Sequence, residues 1–174
     1  MNMCFTGHRP DSLPWGDDHT HPSHKHLLQM ISEEIKAHIS TGYNRFICGA
    51  AMGTDIEFGE QVLELRDHTQ SRVSLICAIP FPNQPRSWPE HWQQRYNALL
   101  ESSDEKVLIS ERFVRGCYHR RNRFMVDNAD RILAVWDGRL DGGTTYTVKY
   151  AQKQGKTVIR IDPITMTRTI LSPS

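Results

Sequence analysis

The chain has 174 residues, 38% of them hydrophobic and 24% charged. A chain of this length and composition can form one well-buried core, but it is too short for two ordinary domains. We therefore predict a single domain over residues 1–174. Lys and Arg total 21 against 20 Asp and Glu, and the net charge of +1 excludes a global positive field that would hold nucleic acid by itself. No stretch approaches the roughly 18 apolar residues of a membrane helix. We therefore expect a soluble, cytoplasmic protein with no membrane partner.

The four cysteines are spread along the chain without a C-x-x-C pair, at Cys4, Cys48, Cys77 and Cys117. At least two of them fall inside predicted strands, where small apolar side chains pack well. A cytosolic protein keeps such thiols reduced. We expect buried, unbridged cysteines.

Short apolar runs alternate with longer segments of helical period, a pattern typical of an α/β sheet. In chain order the predicted strands are residues 3–6, 45–48, 73–79, 106–109, 132–136 and 157–161. Connections from strand through helix to parallel strand are right-handed almost without exception. The pattern therefore predicts an α/β, three-layer Rossmann-like domain with a mostly parallel central sheet.

Five helices are predicted between these strands, each from its apolar stripe or its end signals. The first carries Leu28, Ile31, Ile35 and Ile39 and ends near Gly42. The second is opened by Asp55 and carries Phe58, Val62 and Leu65, and the third carries Trp92, Tyr96 and Leu99. The fourth covers residues 118–128 and the fifth covers 144–154, before Gly155.

Two irregular stretches remain, residues 10–24 and residues 80–90. Long loops in a small domain are usually functional or disordered. The second stretch holds four prolines and is the better candidate for a lid. Its Trp88, together with Trp92, could cap a base by stacking, although packing of the loop onto the body is the favoured interpretation.

Three glycine-bearing turns each follow a predicted strand, and in a parallel sheet such turns emerge at one edge, where ligands bind near the switch in strand order. One phosphate-binding pocket would explain all three. The candidate ligand-binding residues are Thr6, Gly7, His8, Arg9, Gly49, Ala50, Met52, Gly53, Thr54, Asp55, Arg121, Asn122, Asp137, Gly142, Gly143, Thr144 and Thr145.

The same physical argument makes each of the three turns a candidate for binding phosphate. Glycines let the backbone approach a ligand, and the first N–H groups of a helix attract an anion. At Gly49 and Gly53 the alternative is a tight turn with Asp55 as helix cap. At Gly142 and Gly143 the following threonine hydroxyls could also donate to a phosphate, and the alternative is a surface turn.

A basic run leads into the fourth helix: Arg112, Arg115, His119, Arg120, Arg121, Asn122 and Arg123, with Tyr118 inside it. Arginines with an aromatic ring could grip a phosphate backbone and stack a base. The alternative is a solvated face paired with acidic neighbours. Four histidines, His19, His21, His24 and His26, lack any accompanying zinc spacing, so we expect no metal.

In this order, the turns and the basic run resemble the SLOG superfamily, which groups the Smf/DprA DNA-processing proteins with the LOG-type nucleotide hydrolases. The resemblance is greater to its YpsA-like, single-domain branch. The matching pieces are residues 6–10, 49–55, 80–82, 118–123, 137–138 and 142–144. The resemblance implies a Rossmann-like fold that binds a nucleotide or nucleotide-derived ligand or, in the DNA-processing branch, single-stranded DNA.

Two departures limit what the resemblance implies. LOG-type hydrolases carry a glutamate shortly after their glycine turn, where this chain has Lys149. The DNA-processing proteins have flanking domains, whereas this sequence stops soon after its last predicted strand.

The preferred hypothesis is a sensor or regulatory module that binds a nucleotide or nucleotide-derived phosphate ligand at the strand ends. One alternative is an enzyme that cleaves or transfers an N-glycosidic bond, with Asp55 and Asp137 as catalytic candidates. A second alternative is single-stranded nucleic-acid binding. The sequence identifies no cofactor and leaves a homo-oligomer open.

Overall fold

A seven-stranded sheet forms the centre of the computed structural model, which describes residues 1–69 and 72–173. In chain order its strands are β1 Asn2–Gly7, β2 Arg45–Cys48, β3 Ser74–Ile79, β4 Glu105–Leu108, β5 Arg131–Val135, β6 Thr157–Asp162 and β7 Thr167–Leu171. Their order across the sheet is β4-β3-β2-β1-β5-β6-β7. All neighbouring pairs are parallel except β6 with β7. The mostly parallel sheet is confirmed.

Five α-helices of the described residues cover the sheet: α1 Pro22–Ser40, α2 Thr54–Thr69, α3 Glu90–Ser102, α4 Cys117–Asp127 and α5 Gly143–Lys153. They form two layers with separate apolar clusters. Phe58 of α2 and Trp92 of α3 pack with Phe5 on one face of the sheet. Met125 of α4 packs with Cys4 on the other face. This is the predicted three-layer, Rossmann-like α/β arrangement.

The central strand β1 shows why the sequence adopts this fold. Its residues from Met3 to Thr6 are all buried, and successive side chains point to opposite faces, so Phe5 and Cys4 enter different clusters. A parallel strand covered by helices on both sides needs such a continuous apolar run.

The strand order reverses direction at β1, which pairs with β2 on one side and β5 on the other. Chain connections leave these strands toward opposite edges of the sheet, so the loops after β1 and β5 separate and leave a crevice between them. This is where open α/β sheets bind ligands.

The first helix differs from its prediction. It begins at Pro22, within the stretch predicted to be irregular, because proline suits the first helical turn and the His21 side chain accepts a hydrogen bond from the Ser23 amide at 3.1 Å. Leu27, rather than Leu28, lies on its buried face with Ile31 and Ile35. A 3₁₀ turn, Pro10–Ser12, also interrupts that stretch.

Strand β7 was not predicted. It is an exposed antiparallel edge strand of mixed polar sequence, so it lacks the apolar run by which the other strands were found. Residues 80–89 form no helix or strand, as expected, and they pack against the body. Trp88 is buried against the ring of Tyr96, with centroids 5.5 Å apart, and Trp92 is 1% exposed. Both tryptophans therefore pack in the core and neither lies in the crevice.

All four cysteines are buried and unbridged, as expected. No helix of the described residues is long and apolar enough to cross a bilayer.

Candidate functional site

A cleft of about 300 Å³ opens at the carboxyl ends of β1 and β5. Its walls come from the loops after these two strands, from the turn after β2, and from the first turns of α4 and α5. The lining residues are Thr6, Gly7, His8, Arg9, Asp11, Ser12, Ala51, Asp55, Tyr118, His119, Arg121, Asn122, Met125, Arg139, Asp141, Gly142, Gly143 and Thr144. All three predicted turns therefore reach one edge of the sheet.

The turn after β1 carries Arg9, an exposed residue whose guanidinium has no hydrogen bond or ion pair with any other described residue. Gly7 has a packing role. A Cβ atom there would lie 2.1 Å from Oγ1 of Thr54, and that hydroxyl donates to the carbonyl of His8 at 2.9 Å. The absent side chain lets the first and second turns interlock and leaves Arg9 facing the cleft.

The turn after β2 is closed by its own carboxylate. Oδ2 of Asp55 accepts hydrogen bonds from the amides of Gly49 at 3.2 Å and Ala51 at 3.4 Å. The amide of Thr54 donates to the carbonyl of His8. Burial raises the pKa of Asp55, and the charge of Arg121 opposes that rise. Three amides of this turn, those of Gly49, Ala51 and Thr54, therefore already have protein acceptors.

Arg121 lies behind this turn and braces it. The residue is 6% exposed; its Nη1 donates to the carbonyl of Gly49, and its Nε donates to Oδ1 of Asn122 at 2.7 Å. A Cβ on Gly49 would lie 1.5 Å from that Nη1. Burial lowers the pKa of Arg121, and Asp55, 3.8 Å away, opposes the shift. Gly49 thus makes room for an arginine of the protein.

The loop after β5 is held by an ion pair. Arg139 donates to Oδ2 of Asp137 at 2.7 Å and to its Oδ1 at 3.1 Å, and it reaches Oγ of Ser12 at 3.1 Å. Nε2 of His8 lies 3.0 Å from Oδ1 of the same carboxylate. These hydrogen bonds, that from Arg139 above all, hold the pKa of Asp137 below its ordinary value. Burial lowers the pKa of His8.

The turn before α5 is the open one. Gly142 has φ 99° and ψ 169°, a conformation that requires glycine, and the helix begins with no side-chain cap. No described group accepts a hydrogen bond from the amides of Gly143, Thr144 or Thr145. A Cβ on Gly142 or Gly143 would meet nothing within 4 Å. Unpaired donors with free space before them face the cleft.

The hydroxyls of Thr144 and Thr145, at the start of α5, make contacts within the protein. Oγ1 of Thr144 donates to the carbonyl of Gly7 at 3.1 Å. Oγ1 of Thr145 lies 2.8 Å from the carbonyl of Asp141 and accepts a hydrogen bond from the indole of Trp136 at 2.9 Å. These bonds fix the start of α5 against β1 and against its own loop.

The predicted residues divide into two groups. Ten line the cleft: Thr6, Gly7, His8, Arg9, Asp55, Arg121, Asn122, Gly142, Gly143 and Thr144. The other seven do not line it: Gly49, Ala50, Met52, Gly53, Thr54, Asp137 and Thr145. Gly53, for instance, has φ 98° and packs on Pro10 and His8.

Eight lining residues were not among the predicted ligand-binding residues, although Tyr118 and His119 belong to the predicted basic run: Asp11, Ser12, Ala51, Tyr118, His119, Met125, Arg139 and Asp141. Several of them directly adjoin a predicted turn, so taking in the flanks of each turn would have found them. Arg139 could also have been found from its place two residues after Asp137. An aspartate side chain commonly accepts a hydrogen bond from the backbone two residues further along, and this folds the chain into a local turn.

The basic run divides by the faces of α4. Arg121 and Asn122 point inward, whereas Arg120 and Arg123 are exposed. The ring of His119 stacks on Tyr146 with centroids 4.1 Å apart, and Tyr146 lies parallel to Tyr150 at 6.3 Å. A short ladder of rings therefore leads away from the rim of the cleft.

Comparison with known proteins gives one family match, which covers almost the whole chain. The model described as the YspA SLOG family matches residues 3–169. The chain is 25% identical over 138 residues to a UPF0398 protein of Halalkalibacterium halodurans, covering 78% of this chain and 72% of that one. It is also 25% identical over 157 residues to a UPF0398 protein of Bacillus thuringiensis, covering 88% and 84%.

Proposed function

Because the chain belongs to the YspA SLOG family, we propose that it binds a nucleotide or nucleotide-derived phosphate ligand in the cleft, as a sensor or regulatory module. Family membership points to a nucleotide-related function. The cleft lies at the switch in strand order, where open α/β sheets bind such ligands.

The observation that carries the proposal is the uncapped start of α5. The amides of Gly143, Thr144 and Thr145 lack acceptors within the described structure, and Gly143 and Thr144 line the cleft. Such amides, aligned with the positive end of a helix dipole, bind phosphate. The turn after β2 is a weaker candidate because Asp55 already accepts from two of its amides, those of Gly49 and Ala51.

Two further features support this ligand class. Arg9 supplies a guanidinium without a protein partner in the described chain, and such a group can grip a phosphate with two hydrogen bonds. Tyr118 and His119 also line the cleft and offer rings on which a base could stack. The cleft volume of about 300 Å³ is at the lower end of the range for small-molecule sites.

Isothermal titration with the four ribonucleoside monophosphates tests the proposal, with the matching nucleosides as phosphate-free controls. Gly143→Leu places a side chain in front of the unpaired amides, in space that no other group fills. We expect it to weaken binding at least about tenfold, since charge-assisted hydrogen bonds contribute roughly 1.5–3 kcal/mol. Gln154→Leu, at the other end of α5, is the matched control and should bind normally.

A panel without measurable binding, or a Gly143→Leu variant that binds as well as the wild type, would overturn the proposal. Chromatography of the recovered nucleotide separates binding from turnover. Intact nucleotide is the expected result. Release of free base, lost in Asp55→Asn, would instead favour the N-glycosidic enzyme, since Asp55 is the candidate carboxylate that lines the cleft.

The ring ladder favours a second candidate function, binding of single-stranded nucleic acid. His119, Tyr146 and Tyr150 offer stacking surfaces, and Arg123 donates to the hydroxyl of Tyr146 at 2.6 Å. Lys149 lies in the same shallow depression. Aromatic platforms beside basic side chains are the usual means of holding unpaired bases.

Fluorescence anisotropy of a labelled oligothymidine at 50 and 200 mM NaCl tests this candidate. We expect affinity to fall steeply with salt and to weaken in Arg120→Ala and Arg123→Ala. Arg45→Ala, which removes an exposed charge where β2 begins, is the control. Unchanged affinity in both helix variants would reject this function. Arg121 is unsuitable for the test because it is buried and braces the fold.

A further inference from the structure

Outside the cleft, three histidines and two carboxylates converge from distant parts of the chain. Asp17 and His19 lie in the loop before α1, and His24 lies in the first turns of α1. Glu57 comes from α2 and His91 from α3. None of the five lines the cleft. Their convergence is a property of the fold, because the packing of α1, α2 and α3 brings them together.

His19 is the centre of this cluster. Its Nδ1 lies 3.4 Å from Oε1 of Glu57, and its Nε2 lies 3.2 Å from Oδ1 of Asp17. Nε2 of His91 lies 2.9 Å from Oδ2 of the same aspartate. One potential ligand atom from each of Asp17, His19 and His91 lies within 4.8 Å of the other two.

The neighbours of His19 allow two tautomers of its ring. Trp15 Nε1 donates to Nδ1 of His24 at 3.1 Å, so neutral His24 carries its proton on Nε2, 3.2 Å from Glu57 Oε1. Glu57 is 3% exposed and can accept from Nδ1 of His19 as well. In the tautomer with its proton on Nδ1, His19 donates to this carboxylate and its Nε2 keeps a lone pair; in the other tautomer Nδ1 accepts from Nε2 of His24, 3.3 Å away, and Nε2 carries the proton.

Nε2 of His19 is buried and has no hydrogen-bond partner in the described chain, although a carboxylate oxygen of Asp17 lies 3.2 Å away. With the proton on Nδ1, the lone pair of Nε2 and a carboxylate oxygen at this distance repel each other unless a cation lies between them. Ligands about 2.0–2.1 Å from a tetrahedral zinc ion lie roughly 3.3 Å from one another. The spacings around Asp17 are close to that value.

We propose that Asp17, His19 and His91 bind a divalent transition-metal ion of the zinc class. Two imidazole nitrogens and one carboxylate are ligands that zinc takes, and three protein ligands leave a fourth position for water. Glu57 orients His19 through Nδ1, as an outer carboxylate does for many metal-bound histidines. Trp92 Nε1 donates to Oδ1 of Asp17 at 3.0 Å and holds that carboxylate in place.

This proposal departs from the expectation of no metal, which considered the spacing of His19, His21, His24 and His26 alone. The ligands we assign share only His19 with that set. Asp17 precedes it in the loop, and His91 lies far along the chain. The competing explanation is that the cluster is a set of hydrogen bonds that fastens the loop to α3.

Isothermal titration calorimetry of the full chain with ZnCl₂, after treatment with a chelator, tests the proposal. A parallel titration with CoCl₂ gives a visible absorption spectrum that reports the coordination of the metal. We expect one saturable site and the intense visible bands of four-coordinate cobalt. His91→Ala should weaken zinc binding at least about tenfold. His26→Ala removes an exposed histidine of α1 outside the cluster and should leave it unchanged.

Glu57→Gln is the second variant, because it preserves shape while weakening the hold on His19, and we expect an intermediate loss. Circular dichroism checks that each variant is folded. Absence of a saturable site in the wild type would overturn the proposal in favour of the hydrogen-bonded fastening. Equal zinc affinities of His91→Ala and His26→Ala would overturn it too, since binding would then come from surface histidines.

Discussion

Among the side chains of the cleft, we expect Arg9 to contribute most to the affinity for the proposed ligand. It is exposed and has no partner among the described residues, so its removal should cost the fold little. We predict that Arg9→Gln weakens the binding of nucleoside monophosphates at least about tenfold, because hydrogen bonds to charged groups contribute roughly 1.5–3 kcal/mol. Isothermal titration measures the loss.

Arg45→Gln is the matched control for this change, because it also removes one exposed arginine but does so where β2 begins. Its affinity should equal that of the wild type. Equal weakening in both variants would show that only net charge matters, and the role given to Arg9 would be wrong.

Asp137 should make stability depend on pH. Hydrogen bonds from Arg139 hold its pKa below the ordinary value, so its contribution is present above the unfolded aspartate pKa of about 3.9 and is lost as pH falls below it. Arg139 is 37% exposed and solvent screens the pair. We predict that Asp137→Asn destabilises the protein by roughly 1–2 kcal/mol at pH 7.

Urea unfolding at pH 7 and pH 3 measures this effect, and the difference between variant and wild type should be smaller at pH 3. Asp67→Asn is the control, since Asp67 is 64% exposed in its pair with Arg66 and should change stability by less than about 0.5 kcal/mol. A difference that stays constant between the two pH values would contradict the assignment.

The turns that join strand to helix look alike in sequence, but their glycines have different structural roles. Gly49 makes room for Arg121, whereas Gly143 faces open space. We predict that Gly49→Ala destabilises the fold by roughly 1–3 kcal/mol, the usual cost of overpacking. Gly143→Ala should stay within about 0.5 kcal/mol of the wild type. Chemical denaturation measures both, and equal costs would contradict the distinction.

That the glycine-bearing turns after apolar strands meet could be predicted from the sequence, because strand ends of a parallel sheet share an edge. The sequence could not show that Asp55 turns back onto the amides of Gly49 and Ala51, or that Arg121 packs under them. These contacts join segments far apart in the chain, and local spacing carries no signal for them.

Across the whole molecule, the fold class and parallel strands follow from apolar runs buried on both faces, which is why they were predictable. Strand β7 escaped prediction because it is exposed. The cluster of histidines and carboxylates around His19 escaped it because His91 and Asp17 meet only after α3 packs against the loop before α1. Predictability therefore decreased from buried strands, through loops, to contacts between distant elements.

Burial throughout the molecule also predicts thiol chemistry. All four cysteines are buried; burial raises the pKa of Cys4, and the hydrogen bond with Cys77 together with burial raises that of Cys48. Because the thiolate is the reactive form, we predict no reaction with Ellman's reagent in the native protein and four reacting thiols in guanidinium chloride. A fast-reacting thiol in the native protein would contradict this packing.

We propose that the turn before α5 is open to a phosphate, whereas the turn after β2 is closed by the carboxylate of Asp55. Amide chemical shifts of a ¹⁵N-labelled sample, recorded during titration with a nucleoside monophosphate, distinguish the two turns. We expect the largest shifts on Gly143, Thr144 and Thr145, with smaller shifts on Gly49 and Ala51. The largest shifts on Gly49 and Ala51, with α5 unaffected, would contradict it.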